Sequence, residues 1–299
     1  MRKCVIFCLL FLYVGGRLFS DFMSVLDESD ALNREGRYEL ETDVLLSSLE
    51  TDLTSTQKAE VYWRLSRTAM LRGGEAQQQG EPKTALYAIF EEGEAFGLKA
   101  ITADPNNHLG YFWAANNVGR WLQVNMGLKA LKKARVVRDL YAESIERNPE
   151  YALTYFAISQ MYAQVPGKPI SFGSIDYAVS LARKAVDIHM DSVASEPGQD
   201  RFYGYEIELA RVLYKRGWSS EKRLGKQGRK ERNFDQGDGA FEKNMFYEGT
   251  VVLEPVPDRI EARAILHRII EEIEVAQAPT EYQKAVLGRV AELLERWDE

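Results

Sequence analysis

The chain has 299 residues, of which 45% are hydrophobic and 28% are charged, and its formal net charge at pH 7 is -7. This length and composition suffice for a large folded core in one or two domains, and they exclude a chain that is disordered throughout. The acidic balance argues against a nucleic-acid-binding protein, because the phosphate backbone is bound by an excess of positive charge.

The segment 1–20 has the pattern of a secretory signal peptide rather than of a folded element. Arg2 and Lys3 precede the apolar run 4–14, which is too short to span a bilayer, and Ser20 lies at a plausible cleavage point. We therefore expect export to the periplasm through this segment. An uncleaved membrane anchor is the alternative, so contact with the membrane stays open at this point.

Reactive side chains are scarce after this segment. Both cysteines, Cys4 and Cys8, lie inside it, so the mature chain would have no disulfide, thiol nucleophile or cysteine-bound metal. The histidines His108, His189 and His267 are far apart and none belongs to an HExxH pattern; neither a GxSxG nucleophile motif nor a GxxxxGK[ST] phosphate loop is present. We predict no catalytic residue, no metal site, no cofactor and no enzyme activity.

The region 21–216 is predicted to be a series of helices, since glycine and proline fall between apolar segments of helical period and strand-like alternation is scarce. The predicted helices span 43–50, 54–71, 84–103, 108–124, 128–147, 152–164, 175–191 and 201–216. The pair Gly73-Gly74 is predicted to end the second of them. Within the C-terminal region 251–299, two further helices at 258–276 and 280–297 form a helical pair, and Thr280 is a predicted N-cap.

The stretch 217–250 differs from its surroundings because it is rich in glycine and in basic residues. These are Gly217, Gly225, Gly228, Gly237 and Gly239 together with Lys222, Arg223, Lys226, Arg229, Lys230 and Arg232. Such a composition predicts a long exposed loop or lid. A solvated insertion is the simpler interpretation, and a contact site for an acidic partner or for anionic headgroups is the alternative.

Three segments of the helical region share one sequence frame. In each, Tyr is followed by a large aromatic residue, as in Tyr62-Trp63, Tyr111-Phe112 and Tyr155-Phe156. A small residue stands four positions after each Tyr. On a helix the Tyr and the small residue lie on one face, where the small residue allows a second helix to approach closely. Internal similarity at this spacing indicates a repeat architecture.

The frame resembles the tetratricopeptide repeat (TPR), a helix–turn–helix unit, over residues 55–190. The resemblance implies an all-α, degenerate TPR-like helical-repeat domain of stacked helix pairs with a C-terminal helical extension packed on it. The repeated tyrosines are 49 and 44 residues apart, which exceeds the usual repeat length. We therefore expect extended helices or inserted loops, such as 73–82 and 166–173.

The layout of an export signal, long units and a helical C-terminal extension also resembles the periplasmic TPR subunit associated with TRAP transporters. This chain lacks the lipid-bearing cysteine found in many of those proteins. The resemblance implies a scaffold for protein–protein interaction, with a periplasmic substrate-binding protein as its partner. A periplasmic binding protein for a small hydrophobic ligand and an adaptor in envelope assembly are the alternatives.

In the TPR pattern, the residues beside the repeated tyrosines face a concave groove. Their aromatic rings, amides and guanidinium groups suit an extended peptide or a small amphipathic ligand. The predicted groove residues are Trp63, Arg67, Phe112, Asn116, Asn117, Arg120, Phe156 and Gln160. The alternative for the aromatic residues is packing against neighbouring helices, since aromatics at helical spacing usually belong to the core.

Overall fold

The structure, a computed structural model, describes residues 22–125, 128–195, 201–275 and 278–299. The predicted signal segment lies outside these ranges. In the part described, the secondary structure is helical, and a single β-bridge joins Gly167 to Gly173. The helices are α1 (22–34), α2 (Tyr38–Ser48), α3 (Ser55–Gln78), α4 (Lys83–Ala103), α5 (His108–Val124), α6 (Leu128–Arg147), α7 (Ala152–Gln164), α8 (Ile175–Ser195), α9 (Gly204–Arg216), α10 (Ser220–Gln236), α11 (Ala240–Asn244), α12 (Asp258–Glu274) and α13 (Glu281–Asp298), with a 3-10 turn at Tyr247–Gly249.

The helices pack into two compact units, Met1–Arg147 and Asn148–Glu299. In the first unit α3 packs on α4, α4 on α5 and α5 on α6; in the second α7 packs on α8, α8 on α9 and α9 on α12. Successive helices therefore form stacked pairs, as the repeat frame predicts. The boundary between the units falls inside the predicted repeat domain 21–216. None of the helices in the described ranges is long and apolar enough to cross a bilayer.

The small residue of the repeat frame lies where paired helices meet. Ser66 and Ser159 are fully buried. The hydroxyl of Ser66 donates a 2.7 Å hydrogen bond to the carbonyl oxygen of Gly93 on α4, and that of Ser159 donates a 2.9 Å hydrogen bond to the carbonyl oxygen of Ala178 on α8. Because the serine side chain is small and its hydroxyl is hydrogen-bonded, the two helix backbones can approach closely. The predicted role of the small residue in helix pairing is confirmed in both units.

The prediction that Gly73-Gly74 ends the second helix is wrong. Helix α3 continues to Gln78, and the turn after it contains Gly80 with φ +80°. A Cβ atom on Gly73 would lie 2.4 Å from the ring of Phe90 on α4. Gly73 therefore serves the packing of α3 on α4, and a glycine required for packing has the same sequence signature as a helix terminator.

A second close approach lies between α4 and α5. A Cβ atom on Gly93 would lie 2.1 Å from Oδ1 of Asn117. Asn117 is fixed because its Nδ2 donates to the backbone carbonyls of Ser66, at 2.9 Å, and Trp113, at 3.0 Å. Any side chain at Gly93 must therefore displace a buried amide that holds α3 and α5 together.

We expect Gly93→Ala to lower the free energy of unfolding by about 1–3 kcal/mol, the usual cost of overpacking a core. This reverses the normal effect, since alanine stabilises a helix interior by about 1 kcal/mol relative to glycine. Gly119→Ala on α5 is the matched control, because a Cβ atom there meets nothing within 4 Å. Urea unfolding measures both variants. Equal stabilisation by the two substitutions would contradict the close approach.

The prediction of a loop at 217–250 is wrong for most of its length, which forms α10, α11 and the 3-10 turn. Ser219 caps α10 by accepting a hydrogen bond from the backbone nitrogen of Lys222. Arg223 and Lys230 are only 2% and 5% exposed. Both pair with carboxylates of the second unit. The segment is therefore packed through its charges, which hydrophobic periodicity does not detect.

These pairs belong to a larger set of ionised side chains inside the second unit, which we name the buried charge network. It joins α8, α9, α10, α12 and the 3-10 turn, and it balances four basic with four acidic groups. Its members are Arg183, Arg216, Arg223, Lys230, Asp176, Glu248, Asp258 and Glu261. The side chains of Arg216 and Asp258 at its centre are fully buried, 2.7 Å apart. Buried charges require this kind of pairing, because desolvation of an isolated ion is costly.

The C-terminal pair agrees with the sequence. Helices α12 and α13 occupy the predicted positions, and Thr280 is the N-cap of α13. Its hydroxyl accepts a 3.2 Å hydrogen bond from the backbone nitrogen of Gln283, whose side chain accepts one of 2.8 Å from the backbone nitrogen of Thr280. This reciprocal capping box satisfies two of the backbone donors that a helix start leaves free.

Candidate functional site

A cavity of about 450 Å³ in the first unit contains one of the predicted groove residues, Arg120. It lies between α2, α3 and α5 and the turn before α2. The lining residues are Gly36, Tyr38, Met70, Leu71, Gly74, Glu75, Gln78 and Arg120. The guanidinium lies beside Gly74, since a Cβ atom there would be in ordinary van der Waals contact with an Nη atom of Arg120, at 3.6 Å. We name this the Arg120 cavity.

Arg120 is held by neutral groups rather than by acids. Its Nη2 donates to the side-chain oxygen of Gln77 at 2.8 Å and its Nη1 to that of Gln123 at 3.0 Å. The guanidinium carbon lies 5.8 Å from the centroid of the Phe90 ring, and Nε is buried with no hydrogen-bond partner in the described ranges. Burial lowers the pKa of Arg120. This charge is partly desolvated and lacks the carboxylate that would compensate it.

Trp63 and Arg67 belong to a polar cluster inside the first unit. Trp63 is 7% exposed and its Nε1 donates to the carboxylate of Glu60 at 3.0 Å. The Nη2 atom of Arg67 lies 2.7 Å from the buried carboxylate of Glu41 and 2.9 Å from that of Asp30. The Arg67 contacts join α3 to α1 and α2, whereas the Trp63 hydrogen bond stays within α3. The role of both residues in binding a partner stays a prediction.

Phe112, Asn116 and Asn117 are likewise engaged within the first unit. Phe112 is 3% exposed, with its ring centroid 4.9 Å from Trp113 and 6.1 Å from Tyr141. Asn116 donates a 2.8 Å hydrogen bond to the carbonyl oxygen of Phe112 one turn earlier, and Asn117 bridges α5 to α3. Trp63 and Phe112 are therefore packed inside the first unit, as the alternative interpretation of the aromatic residues predicts.

Phe156 and Gln160 lie on α7 in the second unit, and both are half-buried. The Phe156 ring makes edge-to-face contacts with Phe202 and Tyr205, at centroid distances of 6.1 and 5.5 Å. Phe202 is 39% exposed, so this aromatic group reaches the surface of its unit. Partner binding by Phe156 and Gln160 stays a prediction.

Sequence reasoning missed most of the residues that surround Arg120. Tyr38, Met70 and Glu75 line the same cavity, and burial together with the nearby charge of Glu75 raises the pKa of Tyr38. The cavity residues of α3 are marked by their helical spacing, as in Met70, Gly74 and Gln78. Ending the predicted helix at residue 71 cut this series short.

The chain matches no family model and no curated protein. Among solved structures, it is similar to the crystal structure of a thermophilic TPR protein from Thermus thermophilus, with a TM-score of 0.53 and 14% sequence identity over 91% of this chain and 98% of that one. A likeness at this identity concerns the fold alone. The predicted all-α, TPR-like helical-repeat fold is thereby confirmed.

Proposed function

We propose that this chain is an exported TPR-like scaffold whose Arg120 cavity receives a carboxylate group of a protein partner. The observation that carries the proposal is the guanidinium of Arg120, which is partly buried and forms no ion pair in the described ranges. The planar guanidinium matches a carboxylate in a two-point hydrogen-bonded pair. Its two amide partners hold the side chain in place, so little further ordering is needed on binding.

The lining of the cavity restricts what the partner presents. Met70 and Leu71 supply apolar surface beside Arg120, and Tyr38 adds a hydroxyl. Glu75 lines the same cavity and repels any carboxylate that lies away from the guanidinium. We therefore expect an acidic residue or chain terminus with an aliphatic neighbour as the recognised element.

The finer proposal is that the partner is a periplasmic substrate-binding protein of a TRAP-type transport system. Its support is the layout of the sequence: the signal-like segment 1–20, repeat units longer than usual, and the C-terminal pair α12–α13. Export rests on the first of these features. The finer proposal and the carboxylate-binding cavity are separable, because the first concerns the identity of the partner and the second its chemistry.

Co-purification from the native envelope tests the partner, and Arg120→Gln tests the cavity. We expect the tagged full chain to recover a substrate-binding protein, and Arg120→Gln to weaken the complex by about 2 kcal/mol or more, a factor of roughly 30 in Kd. Arg72→Gln is the matched control, because Arg72 also lies in the first unit but pairs with Glu92 and does not line the cavity.

Co-purification and the Arg120→Gln measurement test different parts of the proposal. Recovery of proteins that include no substrate-binding protein would remove the transport role. An Arg120→Gln variant that binds the recovered partner as tightly as Arg72→Gln does would remove the cavity from the interface while leaving the scaffold role intact. Thermal unfolding of both variants, monitored by circular dichroism, verifies that neither loss reflects unfolding.

A further inference from the structure

The second unit contains a larger cleft, of about 660 Å³, that is independent of the Arg120 cavity. Helix α9 packs against both α8 and α12, and these three helices line the cleft together with Arg201 before α9 and with Glu254 and Val256 before α12. Its volume lies within the range typical of sites for small organic ligands.

The floor of the cleft is apolar. Helix α8 contributes Val186 and Met190, one turn apart, α12 contributes Ile260 and Ala264, also one turn apart, and α9 contributes Leu209. The helices on both sides therefore present aliphatic side chains toward the same space. A hydrocarbon chain placed there would exchange water for these side chains, at roughly 0.8 kcal/mol for each buried methylene group.

Most of the charges around the cleft are already compensated. Arg183 lies 3.1 Å from Glu248 and 2.8 Å from Glu261, as part of the buried charge network. Arg201 lies 2.8 Å from Glu206 and also pairs with Glu272. Because Arg183 and Arg201 are engaged in these ion pairs, they offer little positive charge to a ligand in the cleft.

The uncompensated charges are mainly negative. Five carboxylates and three guanidinium groups line the cleft, and Asp187, Glu254 and Arg268 are the lining ions that form no ion pair in the described ranges. Asp187 is half-buried between Val186 and Met190, and burial raises its pKa. Its Oδ2 accepts a 2.8 Å hydrogen bond from the hydroxyl of Tyr247, which leaves Oδ1 for another donor.

We propose that this cleft binds a small organic cation with an aliphatic body, its ammonium or guanidinium group on Asp187 and its hydrocarbon along Val186, Met190 and Leu209. An ammonium group supplies the donor that Oδ1 of Asp187 lacks, and the excess of carboxylates favours a cation over an anion of the same shape. The proposal concerns the second unit only and does not rest on the function proposed for the Arg120 cavity.

Isothermal titration of the full chain with octylammonium, octanol and octanoate tests the charge preference with one hydrocarbon chain. We expect octylammonium to bind at least about tenfold more tightly than either of the others. Asp187→Asn, which keeps the shape of the side chain, should weaken octylammonium binding by about tenfold or more. Asp191→Asn is the matched control, because Asp191 is exposed on the same helix one turn later and does not line the cleft.

A second variant tests the place of binding without altering charge. Ala264 is exposed in the cleft, so Ala264→Trp fills the space without entering the core and should abolish octylammonium binding. The proposal is overturned if octylammonium does not bind at millimolar concentration, if octanoate or octanol binds as tightly, or if Asp191→Asn weakens binding as much as Asp187→Asn. Unchanged binding by a folded Ala264→Trp variant would overturn it as well.

Discussion

Replacing Glu248 by glutamine is expected to lower the free energy of unfolding by about 3–5 kcal/mol, the usual cost of breaking a buried ion pair. The carboxylate is 2% exposed and lies 2.5 Å from Arg216, 2.7 Å from Lys230 and 3.1 Å from Arg183. Glutamine keeps the size of the side chain but removes its charge. The four buried or nearly buried cations of the network would then share its three remaining acids, which disfavours the folded state.

Glu281→Gln is the control for this substitution. Glu281 also pairs with a lysine, Lys284 at 2.7 Å, but its side chain is 90% exposed, so we expect a change of less than about 1 kcal/mol. Urea unfolding followed by tryptophan fluorescence compares the two variants, and Trp218 is a local probe because the guanidinium of Arg216 lies 4.5 Å from its ring. A Glu248→Gln variant as stable as Glu281→Gln would contradict the role assigned to the network.

The cost of removing one member differs from the net contribution of the network. Pairing offsets the desolvation of eight charged groups, and replacing a whole buried ionic cluster by apolar residues of similar volume is often neutral for stability. The charges provide specific contacts between elements. Arg223 and Lys230 of α10 pair with carboxylates on α8, on α12 and in the 3-10 turn. These contacts fix where a very polar helix packs.

The predicted helices that agree best with the structure are those with local signals at their ends. The bounds 108–124, 128–147 and 152–164 coincide with α5, α6 and α7. Proline follows an Asp or Asn at 104–105 and 148–149, which stops a helix through its effect on the preceding residue. Such signals act within one turn of the chain, so one sequence suffices to detect them.

Helix α10 could not be predicted because its packing depends on residues distant in sequence. The partner of Lys230 at 2.7 Å, Glu248, is 18 positions away, and Asp258 is 35 positions from Arg223. Its composition is that of a solvated loop, and the burial of its basic residues follows only when these carboxylates are brought to them. Hydropathy measures the cost of burying a charge but carries no information on a distant partner.

The sequence predicted only part of the candidate site, because the surroundings of a side chain also depend on residues distant in sequence. Arg120 was predicted as a groove residue because its charge is hard to place in a core, and it lines a cavity. The repeat frame assigned Trp63 and Phe112 to the groove, but both rings are buried. A helical frame gives the direction of a side chain on its own helix. Whether that direction ends in a cavity or against another side chain, such as Tyr141 beside Phe112, depends on neighbouring helices.

Lowering the pH is expected to narrow the difference in stability between the natural chain and Glu248→Gln. Burial alone would raise the pKa of Glu248, but hydrogen bonds from Arg216 and the charges of Arg216, Lys230 and Arg183 hold it far below its usual range. In the unfolded chain the same carboxyl group titrates near 4.5. A depressed folded-state pKa gives stability that is complete above about pH 5 and is lost as the pH falls from there toward the folded-state pKa.

Over that interval the folded protein keeps Glu248 ionised while the unfolded chain binds a proton, so the difference between the two proteins should shrink by about 1.4 kcal/mol for each pH unit. Urea unfolding of both proteins at about pH 6, 4.5 and 3.5 measures it. Carboxyl groups remote from the substitution titrate alike in both proteins and cancel in the difference. A difference that stays constant down to the lowest pH would mean that Glu248 has the same proton affinity folded and unfolded, which is incompatible with three cations around it.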